Sequence, residues 1–142
     1  MPTVPSSSFV WMASVMEDVP GVETFLPLTF TKGPAVGRIS PNHWVRLVSE
    51  NPARLFGLYP QKGVIQAGSD ADVLVWDPDR EVTISPGVLQ TNCDWSPYDG
   101  WITKGYPHLT LSRGREVAWE GKFTGKVGHG RFLKRSPGQR LD

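Results

Sequence analysis

The stretch Gly63-Val-Ile-Gln-Ala-Gly-Ser-Asp-Ala-Asp-Val-Leu-Val-Trp-Asp77 constrains the fold of this chain more than any other. Gly63 and Gly68 fall where the chain must turn and a positive φ is needed. Ser69, Asp70 and Asp72 are short polar side chains suited to bonding neighbouring backbone groups in a loop. Val73, Leu74, Val75 and Trp76 then run without a polar break. That is the pattern of a strand covered on both faces, not of one wetted on one side. A chain that contains it needs two apolar layers around that strand.

The 142 residues are enough for one domain with a core, and 39% hydrophobic against 20% charged residues reads as globular. A net charge of +1 sets up no strong field toward nucleic acid or a membrane surface. Fifteen glycines and thirteen prolines favour turns and short strands over long helices. Cys93 is alone, so no internal disulfide can form, which fits a reducing compartment. No apolar run approaches the roughly 20 residues of a membrane span. The first residues lack the basic and apolar regions of a signal peptide. The expected location is the cytoplasm.

Along the chain, residues 1–8 are rich in Pro and Ser, and residues 9–15 form an apolar segment readable as a buried strand. Val22, Phe25, Leu26 and Phe30 recur at helical spacing, with Pro27 requiring the helix to begin near it or kink there. Ser40-Pro41 opens the clearest helix, with Trp44, Val45, Leu47 and Val48 as its apolar face. Asn51-Pro52 repeats that logic for a second, shorter helix in which Ala53, Leu55 and Phe56 pack inward and Gly57 is the stop. Strands follow at residues 73–76 and 81–85. Residues 109–112 and 116–119 flank a hairpin turn at Arg113-Gly114-Arg115. After the turn Glu120-Gly121-Lys122, Phe123 begins a last short strand. Residues 126–135 read as an extended arm and 136–142 as a frayed tail. Helices first and strands second give an α+β order.

Little in the sequence forms a catalytic constellation. His43, His108 and His129 share no metal-ligand spacing, and each reads as a polar structural residue. Cys93 has only His108 as a nearby base in sequence and reads as a small, partly buried thiol. Asp70, Asp72, Asp77 and Asp79 lack the calcium-loop pattern and read as acids capping loops around a strand. No phosphate-binding glycine motif is present. Six tryptophans, at 11, 44, 76, 95, 101 and 119, come without the basic interleaving of a nucleic-acid platform.

The order of several short pieces says more. These are Pro20-Gly-Val-Glu-Thr-Phe-Leu-Pro-Leu28, Gly37-Arg-Ile-Ser40, Asn51-Pro-Ala-Arg-Leu-Phe-Gly-Leu-Tyr-Pro60 and Gly68-Ser-Asp-Ala-Asp72. Trp76-Asp-Pro78, Ser96-Pro-Tyr-Asp-Gly100, Leu111-Ser-Arg-Gly-Arg115, Val117 and Gly128-His-Gly-Arg-Phe132 follow. Together they resemble the C-terminal portion of metal-dependent cyclic amidohydrolases of the dihydropyrimidinase and hydantoinase type. Allantoinase and dihydroorotase relatives share several of the pieces and stand as alternative branches. The resemblance implies the last helices of a (β/α)8 barrel followed by the C-terminal strands of a composite β-sandwich, with most of the barrel missing. Its divisions are an unplaced segment over 1–19, barrel helices over 20–60, sandwich strands over 61–125, and an arm and tail over 126–142. Residues 1–15 match nothing in the pattern and look like a truncation point.

The resemblance also implies a chemistry, the hydrolytic opening of a cyclic amide. In the family, two divalent metals, usually zinc, activate water and polarise the carbonyl. No position of this chain matches the family's metal histidines, its bridging lysine or its barrel aspartate. The isolated chain is therefore expected to hold no metal and to be inactive. One substrate-loop stretch of the family corresponds to residues 16–19, making Glu17 and Asp18 candidates, although the family's asparagine and glycine are replaced there. Arg131, Phe132 and Leu133 are candidates for an arm that lies against a neighbouring subunit. Expected partners are the missing barrel portion, further subunits and, in the complete enzyme, a cyclic amide, with neither nucleic acid nor membrane. Two other readings are a non-catalytic assembly protein of the same fold and a separate binding module that keeps only the sandwich.

Overall fold

The computed structural model describes residues 20–141. The segment over 9–15 and the candidates Glu17 and Asp18 lie outside them. Helix α1, Phe25–Lys32, follows the spacing of its apolar residues and starts two residues before Pro27. Pro27 thus occupies the first turn, where an N–H would have no helical partner. Helix α2, Pro41–Val45, opens as its sequence predicts, with the Ser40 hydroxyl accepting from the His43 N–H at 3.2 Å. Its backbone does not stop before α3, Asn51–Leu55. A π turn over Arg46–Glu50 joins the two, and Asn51 has helical φ −61° and ψ −46° instead of the extended backbone of a cap. The expected second helix is the continuation of the first. Pro52 lacks an N–H and its ring crowds the carbonyl four residues back, and a wider turn just ahead of it relieves both. Gly57 ends the helix at φ 67°, as expected.

The strands β1 (Val73–Thr83), β2 (Ile102–Ser112), β3 (Arg115–Trp119) and β4 (Lys122–Phe123) form one antiparallel sheet in that order. The chain is a small α+β unit. The two strands expected at 73–76 and 81–85 are one long strand with a break in register between Asp77 and Glu81. Pro78 has no N–H for the ladder, and Asp77 Oδ1 accepts from the N–H groups of Asp79 (3.0 Å) and Arg80 (3.2 Å) instead. Both hairpin turns use left-handed backbone, at Arg113-Gly114 (φ 48° and 73°) and Glu120-Gly121 (φ 50° and 79°). This geometry matches the twist of the strands it joins.

Packing centres on a triangle of Phe30, Trp44 and Trp76, whose ring centroids are 5.2 Å apart pairwise. The Trp44 indole donates to Thr29 Oγ1 at 3.0 Å. Gly105, at φ 86°, lies directly against this triangle. A Cβ there would stand 2.4 Å from the Phe30 ring and 2.8 Å from Trp76 Nε1. Ile84, Leu89 and Tyr106 continue the core. Elsewhere a single layer leaves apolar surface open. Val45, Leu47, Leu55 and Phe56 are each about half exposed, so the expected inward packing of Leu55 and Phe56 does not occur. On the sheet, Val75, Leu109 and Trp119 stand opposite one another across three strands, with Val75 43% and Trp119 45% exposed. The strand that reads as doubly covered thus lacks its second layer among the described residues.

The C-terminal segment departs from its expected fraying. The Ser136 N–H donates to the Gly57 carbonyl (3.0 Å) and the Gln139 N–H to the Arg54 carbonyl (2.8 Å). Helical donors run out at a helix end, and the tail amides bond to carbonyls at and just past it, the Arg54 carbonyl also accepting from the Gly57 N–H at 3.1 Å. Arg54 closes the clasp, bonding Gln139 Oε1 and Glu50 Oε1, both at 2.9 Å, and stacking 3.7 Å over the Tyr59 ring. No Cβ fits at Gly138, which would meet the Leu55 carbonyl oxygen at 2.2 Å. We expect Gly138→Ala to free the tail and raise the amide exchange rate of Gln139 at least about tenfold, while the sheet amides stay unchanged.

Candidate functional site

The Gly68-Ser-Asp-Ala-Asp72 motif ties three distant segments together. Lys62 Nζ lies 2.8 Å from Asp70 Oδ2 and also pairs with Asp72. Gln61 Nε2 donates to Asp70 at 3.2 Å, and Ser69 Oγ to the Pro60 carbonyl at 2.6 Å. Asp72 Oδ1 accepts from the Arg113 N–H at 2.7 Å, and the Ala71 carbonyl accepts from the Gly114 N–H at 2.8 Å. The motif therefore fastens the β2–β3 turn to the loop after α3. Sequence reasoning anticipated capping acids but placed their partners nearby, whereas Arg113 is 41 residues on. It also missed Lys62, whose only signal is a lysine shortly before two acids.

Electrostatics make the fastening pH-dependent. The hydrogen bond from Lys62 holds the Asp70 carboxyl below its usual value. Burial pushes Asp72 up, but Lys62 and the Arg113 N–H outweigh it and leave Asp72 lowered as well. Burial pulls Lys62 down, and its bonds to Asp70 and Asp72 overcome this and raise it. The lowered acids contribute stability above their ordinary value of 3.8, lost as pH falls through the folded values. Raised Lys62 contributes stability below 10.5, lost as pH rises through its folded value. The Arg113 amide resonance should accordingly stay fixed between these limits and move only outside them. In Asp72→Asn it should be displaced already at neutral pH, with a loss of roughly 1–2 kcal/mol for the charge-assisted bond.

The histidines are occupied structurally or stand apart. His43 is exposed on α2. His108 pairs through Nδ1 with Glu120, which also binds Arg80, and its ring lies tilted against Trp119 with centroids 4.6 Å apart. His129 Nε2 is 3.1 Å from the Ser112 carbonyl, and Arg113 donates to the His129 carbonyl. Cys93 is half-buried in a loop. Among the described residues, no three of His, Cys, Asp and Glu are grouped to hold a metal ion. These donors do not fit the paired metals that the resemblance implies. In the arm, Arg131 and Phe132 are exposed, Phe132 at 94%, and Leu133 is half-buried. No helix among the described residues is long and apolar enough to cross a membrane.

Residues 17–117 match the family described as "Amidohydrolase family". A D-phenylhydantoinase of Escherichia coli O81 (strain ED1a) is 49% identical over 119 residues, covering 84% of this chain and 26% of that enzyme. The fold is similar to a solved D-hydantoinase, with a TM-score of 0.81 and 41% identity, over 85% of this chain and 26% of the other. An L-hydantoinase (dihydropyrimidinase) from Arthrobacter aurescens gives a TM-score of 0.74 at 41% identity, over 78% and 24% of the two chains. The chain thus spans about a quarter of the length of the relatives it matches. With a match across most of its residues and a shared fold at this identity, the chain belongs to the amidohydrolase family.

Proposed function

We propose that the chain is the C-terminal portion of a hydantoinase- or dihydropyrimidinase-type enzyme that opens cyclic amides. The observation that carries this reading is 49% identity to D-phenylhydantoinase over 119 residues, together with an apolar sheet row that nothing among the described residues covers. On this reading α1 to α3 are the last helices of the barrel, and β1 to β4 are one part of a sandwich whose other strands come from the rest of the enzyme. The metals, zinc in the family, and the groups that move protons belong to that remainder. The enzyme would work in the cytoplasm, where a lone thiol such as Cys93 stays reduced. Glu17 and Asp18 are proposed to border the ring-binding loop, and Arg131, Phe132 and Leu133 to contact a neighbouring subunit. The exposure of Phe132 favours the latter role, because its ring finds no cover within the described chain.

Two experiments test the proposal. The purified chain should bind no stoichiometric zinc and open neither hydantoin nor dihydrouracil. Two equivalents of metal with turnover would overturn the division of labour. A chimera in which this chain replaces the matching 119-residue segment of the E. coli enzyme should fold and retain hydantoin opening within about tenfold. A folded, metal-loaded chimera without turnover would contradict the assignment.

A further inference from the structure

Charge in this chain is segregated. Residues 121–135 contain Lys122, Lys126, Arg131, Lys134 and Arg135 and no acid, in a protein of net charge +1. Part of this excess converges with the β2–β3 turn. A cavity of about 400 Å³ between turn and arm is lined by Arg113, Arg115, His129 and Arg131 with the backbone of Gly128 and Gly130. A second, of about 390 Å³, shares Arg115 and His129 and adds Lys126. Its only carboxylate, Glu116, accepts from Thr124 Oγ1 at 2.9 Å. Arg113 is partly committed, through its bond to the His129 carbonyl, and this bond holds the arm against the turn. Arg115, Lys126 and Arg131 form no ion pair among the described residues.

Unpaired cations brought this close repel one another, and an anion between them relieves the repulsion. Guanidinium forks match planar or tetrahedral oxyanions through paired N–H donors. The cavity volumes suit a small molecule, and neither lining includes a Phe, Tyr or Trp ring of the kind that forms a base-stacking platform. We propose that the cleft between the Arg113-Gly114-Arg115 turn and the Gly128–Arg131 arm binds a small anion carrying two phosphoryl or carboxylate groups. Arg115 of the turn and Arg131 of the arm are the guanidinium groups that contact its oxygens. This site lies within one hairpin and the arm and does not rest on the proposed amide-opening activity; it uses Arg131 in place of the subunit contact proposed for that residue and leaves Phe132 and Leu133 to that contact.

Calorimetric titration of the 142-residue chain at constant ionic strength tests it, with inorganic pyrophosphate in one arm, succinate in a second and chloride as the control. Saturable one-to-one binding of pyrophosphate alone identifies a phosphoryl site, and binding of succinate alone a carboxylate site. Equal binding of both shows a site that accepts either group. The double variant Arg115→Glu/Arg131→Glu should weaken binding at least tenfold. Both side chains are exposed, so the far-ultraviolet circular dichroism should not change. Lys104→Gln, remote from the cleft, should bind as the unaltered chain does. Failure of both anions to saturate, or equal loss in the Lys104 variant, would overturn the proposal.

Discussion

Replacing Gly105 by alanine should destabilise the chimeric enzyme by about 3 kcal/mol, the sum of a left-handed backbone cost and an overpacked core. A methyl group here must sit 2.4 Å from the Phe30 ring, and the ring cannot retreat because Trp44 and Trp76 flank it at 5.2 Å. Gly68 supplies the control. Its φ of 90° is close to the 86° of Gly105, but nothing lies within 4 Å of its hypothetical Cβ. Gly68→Ala should therefore cost only the backbone term, roughly 1–2 kcal/mol. Urea unfolding followed by tryptophan fluorescence measures both. Equal losses for the two variants would show that the aromatic triangle yields, contrary to the packing described here.

The isolated chain should bind a hydrophobic dye strongly and melt over a broad temperature range. Among the described residues six hydrophobic side chains are buried, whereas the exposed ones include Phe25, Val45, Leu55, Phe56, Val75, Trp119 and Phe123. Each 100 Å² of apolar surface left in water forgoes about 2.5 kcal/mol. For a domain whose net stability is typically only 5–15 kcal/mol, a few such patches decide whether packing is cooperative. The open row Val75–Leu109–Trp119 adds a flat apolar surface that favours self-association. A sharp calorimetric transition with little dye bound to a monomer would instead describe a self-sufficient module.

Local chemistry made much of the fold legible. Ser40-Pro41 capped its helix, Gly57, Gly63 and Gly68 took positive φ, and Arg113-Gly114 turned the hairpin, because each outcome depends on residues within one turn. The errors came where distant contacts decide. Asn51-Pro52 has the composition of a helix start, but the preceding helix absorbs the proline through a π turn. The tail looks frayed until Gly57 and Arg54 offer it their carbonyls. Lys62 and Arg113 converge on Asp70 and Asp72 only after the sheet has formed. The apolar run Val73–Trp76 calls for two layers, whereas among the described residues Val75 stays 43% exposed, because whatever would cover that face is not among them.

Trans-complementation bears most directly on the claim that this chain is one part of a larger hydrolase. The portion of E. coli D-phenylhydantoinase that lacks the 119-residue match would be mixed with this chain, and dye fluorescence and hydantoin opening followed together. A stoichiometric complex should form, with at least about a tenfold fall in dye signal as the sheet row and helix face are covered, and with turnover absent from either piece alone. A chain that keeps its dye signal and forms no complex with a folded, metal-loaded partner would contradict that claim.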